Sequence, residues 1–365
     1  MKIGKITLDG YANYGNVLQN YALNKVLERY GETETIWLDP QVGLSAMRMP
    51  RPWRWSLPKF IRNPRAHFDE FRVTMMEAAR RAFIKSFCDR FISIRYDARL
   101  NEIADEYDFF VVGSDQVWNP NWGSFDTLYD AHFLTFARSE QRISYAASIA
   151  SPTVPEKRRA AFTSGLRGMK ALSVREDDGA RLVRELTGRD AAVHPDPTLL
   201  LDADEWRQIA RRPTWLKDEP YLLTYFLSDR PDAAAKVAQE NGLKLINLFD
   251  ANVFDHYAVA PEEWLYLFDH ASLVYTDSFH GTAFSIQFCT PFVVCDRAGE
   301  KKKKTMSSRI DTLLGTAGLN GCRGTLENGF RVEGVLSGTM PDPDEVFAAG
   351  RVAAAEYLER ALGKR

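Results

Sequence analysis

Hydrophobic and polar residues alternate along this chain in two patterns. Short continuous apolar runs, such as residues 109–112 and 292–294, are typical of strands that helices cover on both faces. Between these runs, apolar residues recur every three or four positions, as in residues 16–30, where Gly31 marks the end of a predicted helix. The alternation predicts an α/β protein with parallel sheets flanked by helices.

The predicted strands fall into two series. The first comprises residues 2–8, 35–38, 109–112, 142–149, 171–174 and 191–193, and the second comprises residues 221–227, 243–249, 273–275 and 292–294. Two such series predict two Rossmann-like domains facing a central cleft. We expect an N-terminal domain at 1–200 with an insertion at about 44–100, a C-terminal domain at 201–340, and a helix at 341–365 that could pack back on the N-terminal domain.

Ligands of open parallel sheets bind at the carboxyl ends of the strands, so the residues after each strand are the candidates for chemistry. The strand at 273–275 ends in a polar turn that contains Asp277 and His280 and precedes a helix predicted at 282–288. An imidazole beside free helix N–H groups can hold an anion and move a proton. The alternative is an ordinary turn with a satisfied histidine.

Two earlier strand ends carry groups that suit a sugar. The loop after the first strand contains Asn13 and Asn16, and the loop after residue 112 contains Asp115, Gln116 and Trp118. Carboxylates and amides bond hydroxyl groups, and an indole packs on the face of a sugar ring. A plain strand–helix turn at the first loop, and an Asx-type turn over a buried tryptophan at the second, remain open.

Cations follow other predicted strands. Arg175 could hold a carboxylate or phosphate with two parallel hydrogen bonds, or it could form a surface pair. Lysines at 301–304 precede a helix that begins near Arg309, which predicts a phosphate clamp or lid, with a solvated lysine loop as the alternative. Asp196 lies between two prolines, where a rigid interdomain turn is preferred to a cleft carboxylate.

Composition narrows the functional classes. The chain has 365 residues and a net charge of −2, so its overall charge favours neither nucleic acid nor a membrane. Four cysteines without a C-x-x-C pair indicate reduced thiols in a cytosolic protein. Residues 46–67 are basic and aromatic without an acidic residue, and could make peripheral contact with the inner face of a membrane, or pack on the domain as an insertion.

Six ordered segments together resemble the polysaccharide pyruvyl transferase family. They are Asn13-Tyr-Gly-Asn-Val-Leu-Gln19, Val112-Gly-Ser-Asp-Gln-Val-Trp-Asn119, Ser173-Val-Arg-Glu176, Asp196-Pro-Thr198, Thr276-Asp-Ser-Phe-His-Gly281 and Ser307-Ser-Arg-Ile310. Many relatives carry Arg-Leu-His-Gly where this chain has Ser278-Phe-His-Gly281. Arg175, Arg309 or the lysine run would then have to replace that arginine.

The resemblance implies a fold like that of GT-B glycosyltransferases and transfer of a pyruvyl group from phosphoenolpyruvate to a hexose of a polysaccharide or lipid-linked glycan. The product would be a pyruvate ketal, and we expect no cofactor or metal. His280 and Asp277 are the predicted catalytic residues. The predicted donor-binding residues are Arg175, Arg309, Ser278, Gly281, Ser308 and Lys304. The predicted acceptor-binding residues are Asn13, Asn16, Asp115, Gln116 and Trp118.

Two other functions remain open from the residues. A GT-B glycosyltransferase that uses a nucleotide sugar could bind ribose through a carboxylate and a diphosphate through the lysine loop. A non-catalytic module that binds glycans or lipid carriers would need the sugar-binding loops alone. The acceptor sugar and the oligomeric state are not determined by the sequence.

Overall fold

The structure is a computed structural model. It describes residues 1–8, 10–38, 64–228, 233–297, 307–324, 335 and 338–363. Two predicted features lie outside the described residues: residues 46–63 of the basic segment, together with the side chains of 64–67, and the lysine run at 301–304. None of the helices in the described ranges is long and apolar enough to cross a membrane.

The first sheet has five parallel strands in the order β3-β2-β1-β4-β5. These strands are β1 Lys2–Ile6, β2 Glu32–Leu38, β3 Ile94–Ala98, β4 Phe109–Gly113 and β5 Arg142–Tyr145. A parallel pair of short strands, β6 Ser173–Val174 and β7 Ala192–Val193, extends the sheet beyond β5. Isolated parallel bridges connect this pair to the region of β5. The carboxyl ends of all these strands therefore face one way.

The second sheet has four parallel strands in the order β11-β10-β8-β9. They are β8 Tyr221–Tyr225, β9 Lys244–Asn247, β10 Leu273–Thr276 and β11 Phe292–Val294. Every residue of β8, β10 and β11 is buried, because helices cover this sheet on both faces. The two sheets confirm the predicted fold class.

Thirteen α-helices connect and cover the strands in the described part of the chain. They are α1 Tyr14–Glu28, α2 Pro64–Phe91, α3 Leu100–Ile103, α4 Tyr129–His132, α5 Glu156–Arg167, α6 Asp177–Thr187, α7 Ala203–Arg207, α8 Ala233–Glu240, α9 Phe254–Tyr257, α10 Pro261–Asp269, α11 Phe279–Gln287, α12 Ser307–Ala317 and α13 Pro343–Ala361. Short 3₁₀ turns occur at Ser139–Gln141, Pro197–Leu199 and Asn320–Cys322.

Helix α1 lies between the two halves of the molecule and is buried on nearly all sides. Its first residue, Tyr14, donates a hydrogen bond to the Val259 carbonyl oxygen at 2.7 Å and stacks on Trp264. Gln19, one of its buried polar residues, donates a hydrogen bond from Nε2 to the hydroxyl of Thr7, directly after β1, at 2.9 Å. A helix that is covered all round does not need one apolar face, which explains its mixed sequence.

The C-terminal helix α13 contacts the first half of the chain. The Tyr357 hydroxyl donates to the Ser144 carbonyl oxygen in β5 at 2.7 Å, and Lys170 donates to the carbonyl oxygen of Ala361 at 2.7 Å. Arg351 reaches the carbonyl oxygen of Leu199 at 2.9 Å. These bonds hold α13 against the ends of β5 and β7, next to the functional site.

Two boundaries differ from prediction in ways that matter for function. Helix α11 begins at Phe279 and not at 282, so His280 lies in the first turn of the helix. Strand β3 begins shortly after the end of α2, and the two predicted series of strands do not include it. Both errors lie at element ends, where hydrophobic periodicity is least informative.

Candidate functional site

A cavity of about 300 Å³ lies where the carboxyl ends of both sheets meet. We call it the front cavity. Residues that follow β1, β4, β8, β10 and β11 line it, as expected for parallel sheets that face each other. The lining comprises Leu8, Asn13, Asn16, Asp115, Gln116, Trp122, Leu227, Ser278, Phe279, His280, Arg297 and Arg309.

The amino end of α1 forms one wall of the front cavity. Asn13 caps this helix, since its Oδ1 accepts hydrogen bonds from the backbone N–H of Gly15 at 2.8 Å and of Asn16 at 3.4 Å. A Cβ on Gly15 would overlap the ring of His280. Glycine is therefore required here so that the imidazole can lie against the α1 backbone.

His280 enters the cavity from the first turn of α11. Ser278 caps this helix by accepting a hydrogen bond from Gly281 N–H at 3.3 Å. The His280 side chain is almost fully buried, and its Nε2 has no hydrogen-bond partner among the described residues. That nitrogen lies 3.8 Å from Oδ2 of Asp196, which is close enough for charge attraction but too long for a hydrogen bond.

Asp196 is a fully buried carboxylate held from several directions. Its Oδ1 accepts from the Thr198 N–H at 3.0 Å and hydroxyl at 2.9 Å, and its Oδ2 accepts from the Ser114 hydroxyl at 2.9 Å and from Arg175. Burial acts to raise the pKa of Asp196, but Arg175 and His280 outweigh it and hold the pKa well below its usual range. The carboxylate is therefore ionised and fixed beside the imidazole.

Arg175 is as deeply buried as its partner. It pairs with Asp196, and its Nη2 lies 3.6 Å from Oδ1 of Asp115. Burial acts to lower the pKa of Arg175, yet the two carboxylates raise it overall. Its guanidinium carbon lies 4.5 Å from the centre of the Phe279 ring, so an aromatic face supports the cation as well.

Arg309 presents the opposite case near the same Phe279 ring. It is 4% exposed, lies 5.7 Å from the Phe279 ring centre, and makes no hydrogen bond or ion pair with any residue that the structure describes. Burial, and secondly the neighbouring Arg175, lower the pKa of Arg309 to about 10. The side chain is still protonated at neutral pH, so it is a buried cation that the more distant carboxylates of Asp115 and Glu176 compensate only in part.

Asp115 lies in a left-handed backbone conformation, with φ of 60°, immediately after β4. Its carbonyl oxygen accepts from Ser148 N–H at 2.9 Å, and its Oδ1 accepts from Gln116 N–H at 2.9 Å. Such a conformation costs about 1–3 kcal/mol in a residue with a side chain and is concentrated at functional sites. Asp115 and Gln116 both reach the front cavity, together with Asn13 and Asn16.

Trp118 does not reach the cavity, contrary to prediction. Its indole is fully buried, stacks on Phe133 at 5.6 Å, and donates a hydrogen bond to the His132 carbonyl oxygen at 2.8 Å. The indole is therefore part of the core of the first half. Trp122, four residues later, lines the front cavity in its place.

Two other predicted residues of the motif around His280 have structural roles. Asp277 accepts hydrogen bonds from the N–H groups of Leu227 and Ser228 at 2.8 and 3.0 Å, and it does not line the cavity. It holds the end of β8 to the end of β10, and this geometry does not support the predicted proton transfer. Gly281 permits close packing, because a Cβ there would lie 2.6 Å from Oγ1 of Thr276.

The remaining predicted donor residues are only partly described. Lys304 lies outside the described residues, and of Ser308 only the backbone, in the first turn of α12, is described. The sequence did not single out Phe279, Trp122 or Arg297, all of which line the front cavity. Phe279 lies within the recognised motif, but the residues next to it in sequence do not indicate that two arginines from distant segments would pack against it.

The fold and site define an α/β protein of the GT-B class, with two Rossmann-like sheets and a polar, cationic cleft between them. Solved structures with the same fold include the following three. The first is UDP-GlcNAc 2-epimerase from Neisseria meningitidis bound to UDP-GlcNAc, with a TM-score of 0.50, 9% sequence identity and coverage of 100% of each chain. The second is S. aureus MnaA with UDP, with a TM-score of 0.55, 10% identity and coverage of 100% of this chain and 97% of that chain. The third is UDP-GlcNAc 2-epimerase from Methanocaldococcus jannaschii with UDP-GlcNAc and UDP, with a TM-score of 0.50, 12% identity and coverage of 100% of each chain.

The family is shown by its sequence profile. The polysaccharide pyruvyl transferase profile matches residues 13–299, which include the front cavity's wall residues from Asn13 to Arg297. The chain belongs to the polysaccharide pyruvyl transferase family, and the predicted family is confirmed. A comparison with curated proteins yields no match.

Proposed function

We propose that this protein transfers a pyruvyl group from phosphoenolpyruvate to a hexose of a polysaccharide or lipid-linked glycan, with a pyruvate ketal as product. The observation that carries the proposal is the buried, unpaired guanidinium of Arg309 in the front cavity. A desolvated cation without a partner is costly, and a bound anion would remove that cost. Phosphoenolpyruvate supplies both a carboxylate and a phosphate.

The reaction balances with the groups in the front cavity. Two hydroxyl oxygens of one hexose form bonds to C2 of the enolpyruvyl group, and the bond from C2 to the phosphate oxygen breaks. One hydroxyl proton ends on C3, which becomes a methyl group, and the other leaves with inorganic phosphate. The protein must move protons and hold negative charge, which are the two tasks that His280 and Arg309 suit.

Each side chain then has a role. His280 takes and returns the protons, and Asp196 stabilises the imidazolium from 3.8 Å without exchanging protons itself. Arg309 and the free N–H groups at the start of α11 hold the donor anion. The sugar lies among Asn16, Asp115 and Trp122, which supply amide and carboxylate acceptors and an aromatic face.

Donor binding tests the proposal before an acceptor is known. Phosphoenolpyruvate at a hundredfold excess over its Kd should stabilise the full chain by about 2.7 kcal/mol in thermal unfolding. Arg309→Leu should remove most of that stabilisation. Arg138→Leu is the control, because Arg138 is exposed on the surface and pairs only with Asp105 among the described residues.

Turnover separates the three candidate functions. With a panel of hexosides, we expect release of inorganic phosphate from phosphoenolpyruvate and no nucleotide release from UDP-sugars. Nucleotide release without any response to phosphoenolpyruvate would replace the proposal with a glycosyltransferase. Binding of a hexoside with no turnover of either donor would indicate a glycan-binding module.

A further inference from the structure

A second cavity, of about 190 Å³, lies behind the front cavity. We call it the back cavity. Phe279, Arg309 and the Arg175–Asp196 pair form the wall on its inner side, and α12 and α13 form the outer side with Leu313 and Phe347. A water molecule occupies about 30 Å³ of liquid, so this volume suits a molecule of several heavy atoms.

Arg309 is the one lining cation of the back cavity that has no ion-pair partner among the described residues. Arg175 also lines it, but Asp196 and Asp115 already compensate that charge. Asp196 lines the cavity too, and its two oxygens accept hydrogen bonds from Thr198, Ser114 and Arg175. The cavity therefore offers one positive charge without an ion-pair partner among the described residues, which fits a singly charged anion better than a dianion.

The rest of the lining is mainly apolar. The apolar lining side chains include Val193, Leu199, Leu313, Val346 and Phe347. An anion without a carbon body would leave these side chains against water or empty space. A carboxylate with a short hydrocarbon chain would place its head on the guanidinium and its chain among these residues.

We propose that the back cavity is a binding site for a small monocarboxylate with an apolar body, held by Arg309. It is separate from the front cavity, because the Phe279 ring and the guanidiniums packed on it lie between the two. The proposal does not depend on which donor the front cavity takes.

A series of straight-chain carboxylates tests the site in the full chain without any donor. Acetate, propionate, butyrate and valerate carry the same charge at neutral pH and differ only in buried length. Kd, measured by calorimetry or by thermal shift, should fall about 3- to 4-fold with each methylene. Inorganic phosphate should bind this site more weakly than butyrate. A Kd that is independent of chain length would overturn the proposal.

A matched pair of variants locates the site. Thr316 lines the back cavity on α12, and Thr316→Trp should fill it and weaken butyrate binding at least tenfold. Gly315→Trp adds the same ring one residue earlier, where an added side chain meets open space, and should bind butyrate as wild type does. Unchanged butyrate binding in Thr316→Trp would place the ligand elsewhere and sink the proposal.

Occupation of the back cavity should also affect the front cavity, because Arg309 lines both. Butyrate and phosphoenolpyruvate would share one cation, so each should weaken binding of the other by the same factor. This last expectation rests on the proposed function, whereas the carboxylate series does not. Butyrate binding that leaves phosphoenolpyruvate binding unaffected would keep the site and refute its coupling through Arg309.

Discussion

The two sides of the front cavity differ in how their charged side chains are paired. On the side of the first sheet, Asp196 and Arg175 neutralise each other in the interior, and threonine and serine side chains complete the carboxylate. On the side of α11 and α12, the His280 Nε2 and the Arg309 Nε are buried without hydrogen bonds to the residues that the structure describes. The cation of the first side is paired with carboxylates as folded, whereas the cation of the second side has no ion-pair partner among the described residues.

The buried arginines Arg175 and Arg309 illustrate this difference in charge pairing. Both are at least nine-tenths buried, and both pack on the ring of Phe279. Carboxylates raise the pKa of Arg175 against the effect of burial, whereas burial and a like charge lower the pKa of Arg309 to about 10. Residue type and burial therefore do not distinguish an arginine with a structural role from one that binds a ligand, whereas the charges around each arginine do.

The largest expected effect is on Arg175, where loss of the cation would leave Asp196 buried and uncompensated. Arg175→Leu should lower the free energy of unfolding by about 3–5 kcal/mol. Arg309→Leu should leave it unchanged or raise it, because no ion pair to a described residue is broken. Urea denaturation of both variants measures this, and equal losses would erase the distinction between the two sides.

His280→Ala should lower turnover by at least ~100-fold, since a positioned acid or base supplies about 100- to 10,000-fold. Its fold should remain intact, because the imidazole Nε2 makes no hydrogen bond to a described residue. His270→Ala is the control, with an exposed ring that stacks on Tyr266 away from the cavity. Near-normal turnover in His280→Ala would remove it from the mechanism.

Gly15→Ala tests the contact between the two sides. The new Cβ would overlap the His280 ring, so we expect a loss of about 1–3 kcal/mol in stability and a reduced turnover. Gly315→Ala lies in a helix with open space around it and should instead gain about 0.5–1 kcal/mol. Normal turnover in Gly15→Ala would show that the position of His280 is not set by this close approach.

The smallest effect is the pH dependence contributed by Asp196. Its pKa is lower in the folded than in the unfolded state, so its stabilisation is full above the unfolded value of about 3.9 and is lost as pH falls toward the folded pKa. Between about pH 3.9 and pH 3, wild type should lose stability faster than Asp196→Asn, by up to ~1.4 kcal/mol per pH unit. Parallel urea-denaturation curves across that range would contradict the ionised, charge-stabilised state of Asp196.

The sequence predicted most of the strands but not every boundary of a helix or strand. Continuous apolar runs identified β4, β10 and β11, because a strand covered on both faces has no polar residue to interrupt it. Strand β3 was missed, since it is short and follows a helix without a break. The start of α11 was placed three residues late, because residues 279–281 were assigned to the polar turn, although they follow the cap residue Ser278 in the helix.

Assignments within the site depended on what each side chain contacts. Trp118 and Trp122 stand four residues apart in one polar loop, and the sequence favoured the wrong one for the cavity. Asp196 was interpreted as part of a rigid turn, yet it lies beside His280. In both cases the deciding partners come from distant parts of the chain, which local residue patterns do not encode.

The sequence by itself determined the fold class, the family and the position of His280 after a strand of the second sheet, because local periodicity and ordered motifs carry that information. Only the tertiary structure decided which charges are compensated. Arg175 pairs with Asp196 and Asp115, whereas Arg309 lies against an aromatic ring and near another arginine, and carboxylates offset its charge only in part. Compensation inside a protein depends on distances of a few ångströms between segments, and these distances exist only once the two halves of the chain are packed together.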